Sequence, residues 1–153
     1  MSFFDAISIA ASGLTAQRVR MDVTSENLAN ADTTQGANGQ PYQRQEVVLQ
    51  QVGGGFSAAL SGAMGNSPIP SGISSGAAGG VQVSGIVSDP TPDKLTYDPG
   101  NPAANAQGYV RMPNVDPVNE MVDMIDESRS YESDVTAMNT AKTMYEKTLT
   151  LLK

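Results

Sequence analysis

The sequence has no cysteine, no histidine and no tryptophan. Without cysteine there is no disulfide framework, so stability has to come from packing or assembly. Without histidine as well, the common metal ligands and the usual nucleophile–base pairs are missing. Basic residues are also few: nine Lys and Arg stand against sixteen Asp and Glu, a net charge of −7. Phosphate recognition needs clustered positive charge, so nucleic acid is not an expected partner. A solvated acidic surface is the plainer account of the imbalance. No apolar run reaches the ~20 residues of a membrane-spanning helix. The first residues, MSFFDAISIAASGLTAQ, begin apolar but lack a basic n-region and are interrupted at helical spacing. They are not expected to act as a cleavable secretory signal.

What is present is a long seam in the last third. Met121, Met124, Ser128, Tyr131, Val135, Met138, Lys142, Tyr145, Leu149 and Leu152 alternate spacings of three and four, and eight of the ten are apolar. That averages 3.5 residues, the period of a helix winding against a partner. Asp116 sits at the N-cap position and Pro117 at N1, where a missing N–H costs nothing. Glu120 and Asp123 near the start, and Lys147 and Lys153 near the end, suit the macrodipole. Such a helix runs roughly 50 Å at ~1.5 Å per residue.

A second, thinner seam occupies residues 3–31: Phe3, Ile7, Ala10, Leu14, Gln17, Met21, Thr24, Leu28 and Ala31. Ser2 and Asp5 resemble a capping box, and Asn30 suits a helix end. Between the helices the pattern changes. Asn38-Gly39 is a turn signal, and Tyr42 to Val52 reads as a strand or extended arm. Residues 53–80 hold nine Gly, six Ser and five Ala in 28 positions, the composition of a flexible loop. Short strands are expected at Val81–Val87 and Lys94–Tyr97, the latter ended by Asp98-Pro99-Gly100. Tyr109 to Met112 then leads into the second helix. The expected fold is mainly α, in three parts: a helix within 1–32, an irregular β-containing middle at 33–115, and a helix within 116–153.

Burying the eight apolar seam residues contributes ~1.5–3 kcal/mol each, against ~1–2 kcal/mol of backbone entropy for every residue fixed. Off-seam residues Val118, Val122, Ile125, Val19 and Val23 stay exposed in a bare two-helix hairpin. The helices are therefore expected to order fully only on assembly. Among the polar seam residues, Gln17, Thr24, Ser128 and Lys142 read as tolerated surface or as setters of register. Met21, Met121, Met124 and Met138 read as core or as an adaptable packing surface.

Catalytic constellations are scarce. Asp123, Asp126 and Glu127 cluster on the second helix, where a paired-carboxylate hydrolase or an oxygen-ligand metal site is conceivable. They flank a hydrophobic seam with no sign of a cleft, so a solvated or interfacial face is the stronger reading. Neither a phosphate-cradling G-x-x-x-x-G-K-[ST] loop nor a G-x-S-x-G elbow occurs. No enzymatic role and no cofactor are expected.

The stretch SGLTAQRVRMDVTSENLANADTT, with Ser12-Gly13-Leu14, Ala16-Gln17, Arg20-Met21 and Asn27-Leu28-Ala29-Asn30, resembles the shared motif of bacterial flagellar rod and hook proteins. The run from Gly108-Tyr109-Val110 through Leu152 narrows the resemblance to proximal-rod subunits; Gly39-Gln40-Pro41-Tyr42, Val47-Val48 and Asp98-Pro99-Gly100 also fit. The likeness covers about three-quarters of the chain. Residues 53–80 depart from it, being longer and richer in Gly and Ser. The resemblance implies a structural subunit of the flagellar basal-body proximal rod that transmits torque and helps form a hollow export channel. Its terminal helices would pair as an antiparallel coiled coil lining the tube, with the middle part outermost. Implied partners are copies of itself, a proximal-rod partner, the distal rod, the adaptor to the MS ring and the flagellar type III export apparatus. The implied location is the basal body, periplasmic in a two-membrane host. Helix pairing and subunit contacts would fall to Ile7, Ser12, Gly13, Leu14, Ala16, Gln17, Met21, Asn27, Leu28 and Asn30 on the first helix. On the second they would fall to Met121, Met124, Tyr131, Val135, Met138, Tyr145, Leu149 and Leu152. Gly13 would allow close helix approach, and Asn27 and Asn30 would bridge to neighbouring subunits. Rival readings are another rod or hook subunit, a small secreted helical-hairpin adaptor, and a carboxylate-dependent cell-wall enzyme.

Overall fold

The computed structural model describes residues 3–36, 38–52 and 79–151. Ser2, the Phe3 side chain, Leu152, Lys153 and the Gly/Ser-rich stretch as far as residue 78 lie outside the described residues. In chain order the elements are α1 (Phe3–Ala29), β1 (Gln45–Gln51), β2 (Val81–Ser88), β3 (Lys94–Tyr97), β4 (Tyr109–Met112) and α2 (Pro117–Leu151). The result is a helix at each end and a small β-containing middle.

Sequence chemistry marks the starts and stops. Asp116 caps α2: Oδ1 accepts the Val118 N–H at 3.1 Å, and Oδ2 accepts from Asn119 Nδ2 at 3.3 Å. This serves one of the donors a helix start leaves free. At the end of α1, Asn30 Nδ2 donates to the Glu26 carbonyl at 2.9 Å and Oδ1 accepts from Thr33 Oγ1 at 3.3 Å. β1 begins at Gln45 rather than Tyr42 because residues 42–44 are committed elsewhere. The Tyr42 N–H donates to the Thr33 carbonyl, and the Arg44 N–H to Asn114 Oδ1.

β1 and β2 form an antiparallel ribbon from Gln45↔Ser88 to Gln51↔Val81, with a register shift between Val48 and Leu49. The ribbon lies on α1. Ser12 Oγ fixes one end of it, donating to the Ile9 carbonyl at 2.7 Å and accepting the Val81 N–H at 3.0 Å. Gly80 permits this contact, since a Cβ there would collide with the Ser12 side chain. β3 and β4 pair antiparallel, from Lys94↔Met112 to Tyr97↔Tyr109. Val110 is buried on one face, while Tyr97 and Tyr109 stack edge to face on the other with centroids 5.3 Å apart.

The buried apolar residues are mostly small: Ala16, Val23, Ala31, Val110 and Val115. Ala16 lies midway along α1, Val23 and Ala31 toward and just past its end, Val110 in β4 and Val115 just before α2. From Lys142 to Thr150 every residue of α2 is exposed. On α1 the buried line follows the expected heptad only in part, with Thr24 buried. Ile7, Leu14, Met21 and Leu28 are only half-buried, whereas Ala16, Val23 and Asn27 are sunk. The cause is the ribbon, which packs on α1 beside α2 and draws the protected face toward itself. Val23, expected to remain exposed in a two-helix hairpin, is buried for the same reason. Among the described residues no helix is long and apolar enough to cross a membrane.

Candidate functional site

The helices meet through polar residues spaced by sevens. Asn27 Nδ2 donates to Glu120 Oε2 at 3.1 Å, Arg20 Nε lies 3.3 Å from Glu127 Oε1, and Gly13 faces Asp134, whose Oδ2 would be 2.9 Å from an added Cβ. Gly13, Arg20 and Asn27 are a heptad line on α1, and Glu120, Glu127 and Asp134 are one on α2. A side chain at position 13 would make the Asp134 carboxylate shift.

Asn27 is the centre of the cluster and is 1% exposed. Its Oδ1 accepts the Gln45 N–H and the Tyr42 hydroxyl, each at 2.9 Å, and its Nδ2 donates to the Gln45 carbonyl at 2.9 Å as well as to Glu120. Four bonds use the full capacity of an amide side chain. All of them go inside the chain. Asn30 too spends its side chain locally.

Glu120, also 1% exposed, takes its second bond from Arg44 Nε at 2.5 Å. Arg44 further approaches Asp123 at 3.6 Å and Asp89 at 4.0 Å. The Glu120 hydrogen bond, above all, raises the guanidinium's pKa against the cost of its partial burial. Asn114 braces the same corner. Its Oδ1 accepts the Arg44 N–H at 2.7 Å, and its Nδ2 donates to the Thr91 carbonyl at 3.2 Å. Burial first, then Glu26 and Glu120, push the Tyr42 phenol up to about 12, so it stays a donor.

Glu127 is the unbalanced member. It is 5% exposed; Oε1 accepts from Thr24 Oγ1 at 3.2 Å and faces Arg20, while Oε2 has no hydrogen-bond partner among the described residues. It lines a 140 Å³ cavity together with Arg20, Thr24, Arg44 and Asp123. Desolvation raises its pKa, outweighing the help of Thr24 and Arg20. A raised carboxyl means that the folded state binds the proton more tightly than the unfolded state. Its stabilising contribution is complete below the unfolded pKa and is lost as pH rises through the folded one. Glu127→Gln is therefore expected to be more stable than the parent at pH 7. The advantage should shrink toward zero as pH falls through the ordinary carboxylate range. Urea midpoints measured from pH 4 to 8 check both the sign and the trend.

Chemically the cluster is a lock. Its carboxylates face guanidinium, amide or hydroxyl donors, and among the described residues no three His, Cys, Asp or Glu side chains are arranged to hold a metal ion. Of the other residues expected at the helix contact, Ala16 is buried. Ile7, Ser12, Gly13, Leu14, Gln17, Met21, Leu28, Met124, Tyr131, Val135 and Met138 are half-buried. Met121, Tyr145 and Leu149 are exposed. Glu120, Arg44, Tyr42 and Asn114 were not among the expected site residues. One signal was available: Glu120, Glu127 and Asp134 repeat every seven residues beside the Met124, Tyr131, Met138 line.

Comparison with known proteins gives the same family at both ends. The model for "Flagella basal body rod protein" matches residues 7–38, and that for "Flagellar basal body rod FlgEFG protein C-terminal" matches residues 106–151. The flagellar basal-body rod protein FlgC of Bacillus subtilis (strain 168) is 49% identical over 100% of both chains. That of Escherichia coli O6:H1 is 46% identical over 99% of this chain and 98% of its own. The Borreliella burgdorferi protein of the same name is 40% identical over 100% and 99%. With likeness of 40–49% identity spanning the whole chain, the chain belongs to the FlgC family of flagellar basal-body rod proteins, a structural and not an enzymatic family.

Proposed function

We propose that the chain is a structural subunit of the proximal part of the flagellar rod, passing torque between interlocked copies and helping to wall a hollow export channel. The observation that carries this is full-length likeness to rod proteins from several bacteria. The two terminal helices act as an antiparallel coiled coil. The order of contacts supports that pairing: Asn27 with Glu120, Arg20 with Glu127, then Gly13 with Asp134. In the assembled shaft the parts are a rod-core helix at 1–32, an outward middle at 33–115 and a second rod-core helix at 116–153. Half-buried Ile7, Leu14, Met21, Met124, Tyr131, Val135 and Met138, with exposed Met121, Tyr145 and Leu149, complete their burial against neighbours. Those neighbours are further copies, the other rod subunits and the adaptor to the MS ring. The chain reaches them through the flagellar type III apparatus, and in a two-membrane host the rod stands in the periplasm.

Deleting the gene should abolish swimming and leave basal bodies without a completed rod, with both restored by a plasmid copy. The tagged chain should co-purify with basal bodies. Full motility in the deletion strain, or a functional chain found only as a free monomer, would overturn the proposal in favour of a secreted adaptor.

A further inference from the structure

The turn signal Asn38-Gly39 takes no part in the lock and carries chemistry of its own. An asparagine side-chain amide lies within reach of the next residue's backbone nitrogen. Closing a five-membered ring between them is hindered mainly by the side chain of that next residue, and glycine has none. Asn38 is the chain's one asparagine followed by glycine. Asn101 precedes proline, which has no N–H to give, and Asn105 precedes alanine.

The structure leaves the pair open. Asn38 and Gly39 are both exposed, Gly39 adopts a φ of 71°, and nothing lies within 4 Å of the place a Cβ would take there. Among the described residues the Asn38 side chain makes no hydrogen bond. By contrast, Asn101 Oδ1 accepts the Ala103 N–H at 3.0 Å, and Asn105 Oδ1 accepts those of Gln107 and Tyr109 at 3.0 and 2.9 Å. Asn119 and Asn139 stand inside α2, where the helix ladder occupies the next residue's N–H.

One contact resists reaction at Asn38. The Gly39 N–H donates to the Gly36 carbonyl at 2.9 Å, and the Gly36 N–H donates to the Gln40 carbonyl at 2.7 Å. The nitrogen can attack only when this turn opens. Exposed loop tips open at little free-energy cost, so the turn slows the reaction without forbidding it.

We propose that Asn38 is a site of spontaneous deamidation. The Gly39 nitrogen gives its proton to a solvent base and attacks Asn38 Cγ. The N–Cγ bond forms, the Cγ–Nδ2 bond breaks, and Nδ2 leaves as ammonia. Water, the one co-reactant, then opens the succinimide. Cleavage of the N–Cγ bond leaves aspartate. Cleavage between the residue-38 carbonyl carbon and the Gly39 nitrogen leaves isoaspartate, with the main chain running through Cβ and Cγ.

The isoaspartate form reaches the lock. Position 38 tips a loop closed at its base by the Tyr42 N–H on the Thr33 carbonyl at 3.1 Å, and the Tyr42 hydroxyl donates to Asn27. An extra main-chain carbon inside that loop puts Gly36 and Gln40 out of register and slackens the seat of Tyr42. Aspartate at 38 adds only charge.

The full-length chain is aged at pH 8, folded and in urea, and position 38 is followed by peptide mass spectrometry, which reads the exchange of NH for O, and by isoaspartate methyltransferase labelling. Conversion at 38 is expected in the folded chain, several-fold slower than in urea and with isoaspartate in excess, and none is expected in Asn38→Ala. Alkaline hydroxylamine, which cleaves at the succinimide, should cut the parent between residues 38 and 39 and spare that bond in Asn38→Ala. The aged isoaspartate fraction should melt at lower urea than Asn38→Asp, which has the charge on an ordinary main chain. Conversion in urea alone, or equal conversion of Asn105 or Asn139 in the folded chain, overturns the assignment of the site. Equal urea midpoints overturn its link to Tyr42.

Discussion

Asn27→Leu should remove about 3–5 kcal/mol of stability, a large share of the ~5–15 kcal/mol a domain possesses. The leucine fills similar space but strands the Gln45 N–H and carbonyl, the Tyr42 hydroxyl and one lone pair of Glu120. Each stranded buried group costs ~1–3 kcal/mol, less where water can reach it. Asn27→Asp separates the donor from the acceptor half of the amide. It keeps an oxygen for Gln45 and Tyr42 but sets a second carboxylate against Glu120, so its cost should grow as pH rises from 4 to 8. Asn30→Leu is the contrast. Its bonds are local, to the Glu26 carbonyl and Thr33 hydroxyl, and should be worth about 0.5–1 kcal/mol. Thermal and urea melts followed at 222 nm would rank the three. Equal losses at Asn27 and Asn30 would mean that the internal lock is not what holds the helices together.

The sequence revealed much of the frame and little of the lock, for one physical reason. Periodicity reports which side of an element is apolar, and it located α2 because Asp116, Pro117 and ten alternating positions agree locally. The strands at Lys94–Tyr97 and Val81–Ser88 were legible for a similar reason, being bounded by Pro- and Gly-containing turns. Which residues a helix buries is decided by its neighbours. Glu120 read as a charge placed for the macrodipole, yet it is nearly inaccessible because Arg44, 76 positions away, reaches it from the β1 arm. Glu127 belonged to an acidic group read as solvated or interfacial, and it faces Thr24 across a separation of 103. No local pattern carries information at such distances. Asn27 was singled out only by resemblance, and its actual role needs Gln45 and Tyr42 beside it.

Glu120→Ala is the companion prediction: a loss of about 3–5 kcal/mol, because Arg44 would be left half-buried without its closest partner. Arg44→Met alone should cost a similar amount by stranding Glu120. Glu120→Leu combined with Arg44→Met should cost well under the sum of the two single changes, since an apolar pair of similar volume carries no uncompensated charge. That double variant also tests what the charges are for. With them gone, the Arg20 and Thr24 contacts to Glu127 are the polar ties left against a roll of α2 that would hide Val118, Val122 and Ile125. Maleimide labelling of a Val122→Cys reporter should therefore be fast in the parent and several-fold slower in the Glu120→Leu/Arg44→Met background, without loss of helicity. Unchanged labelling in a stable double variant would show that backbone connections alone orient α2. A slowed reporter with stability preserved would show that the ion pair contributes orientation more than stability, keeping an apolar face outward for a neighbour that the isolated chain does not yet have.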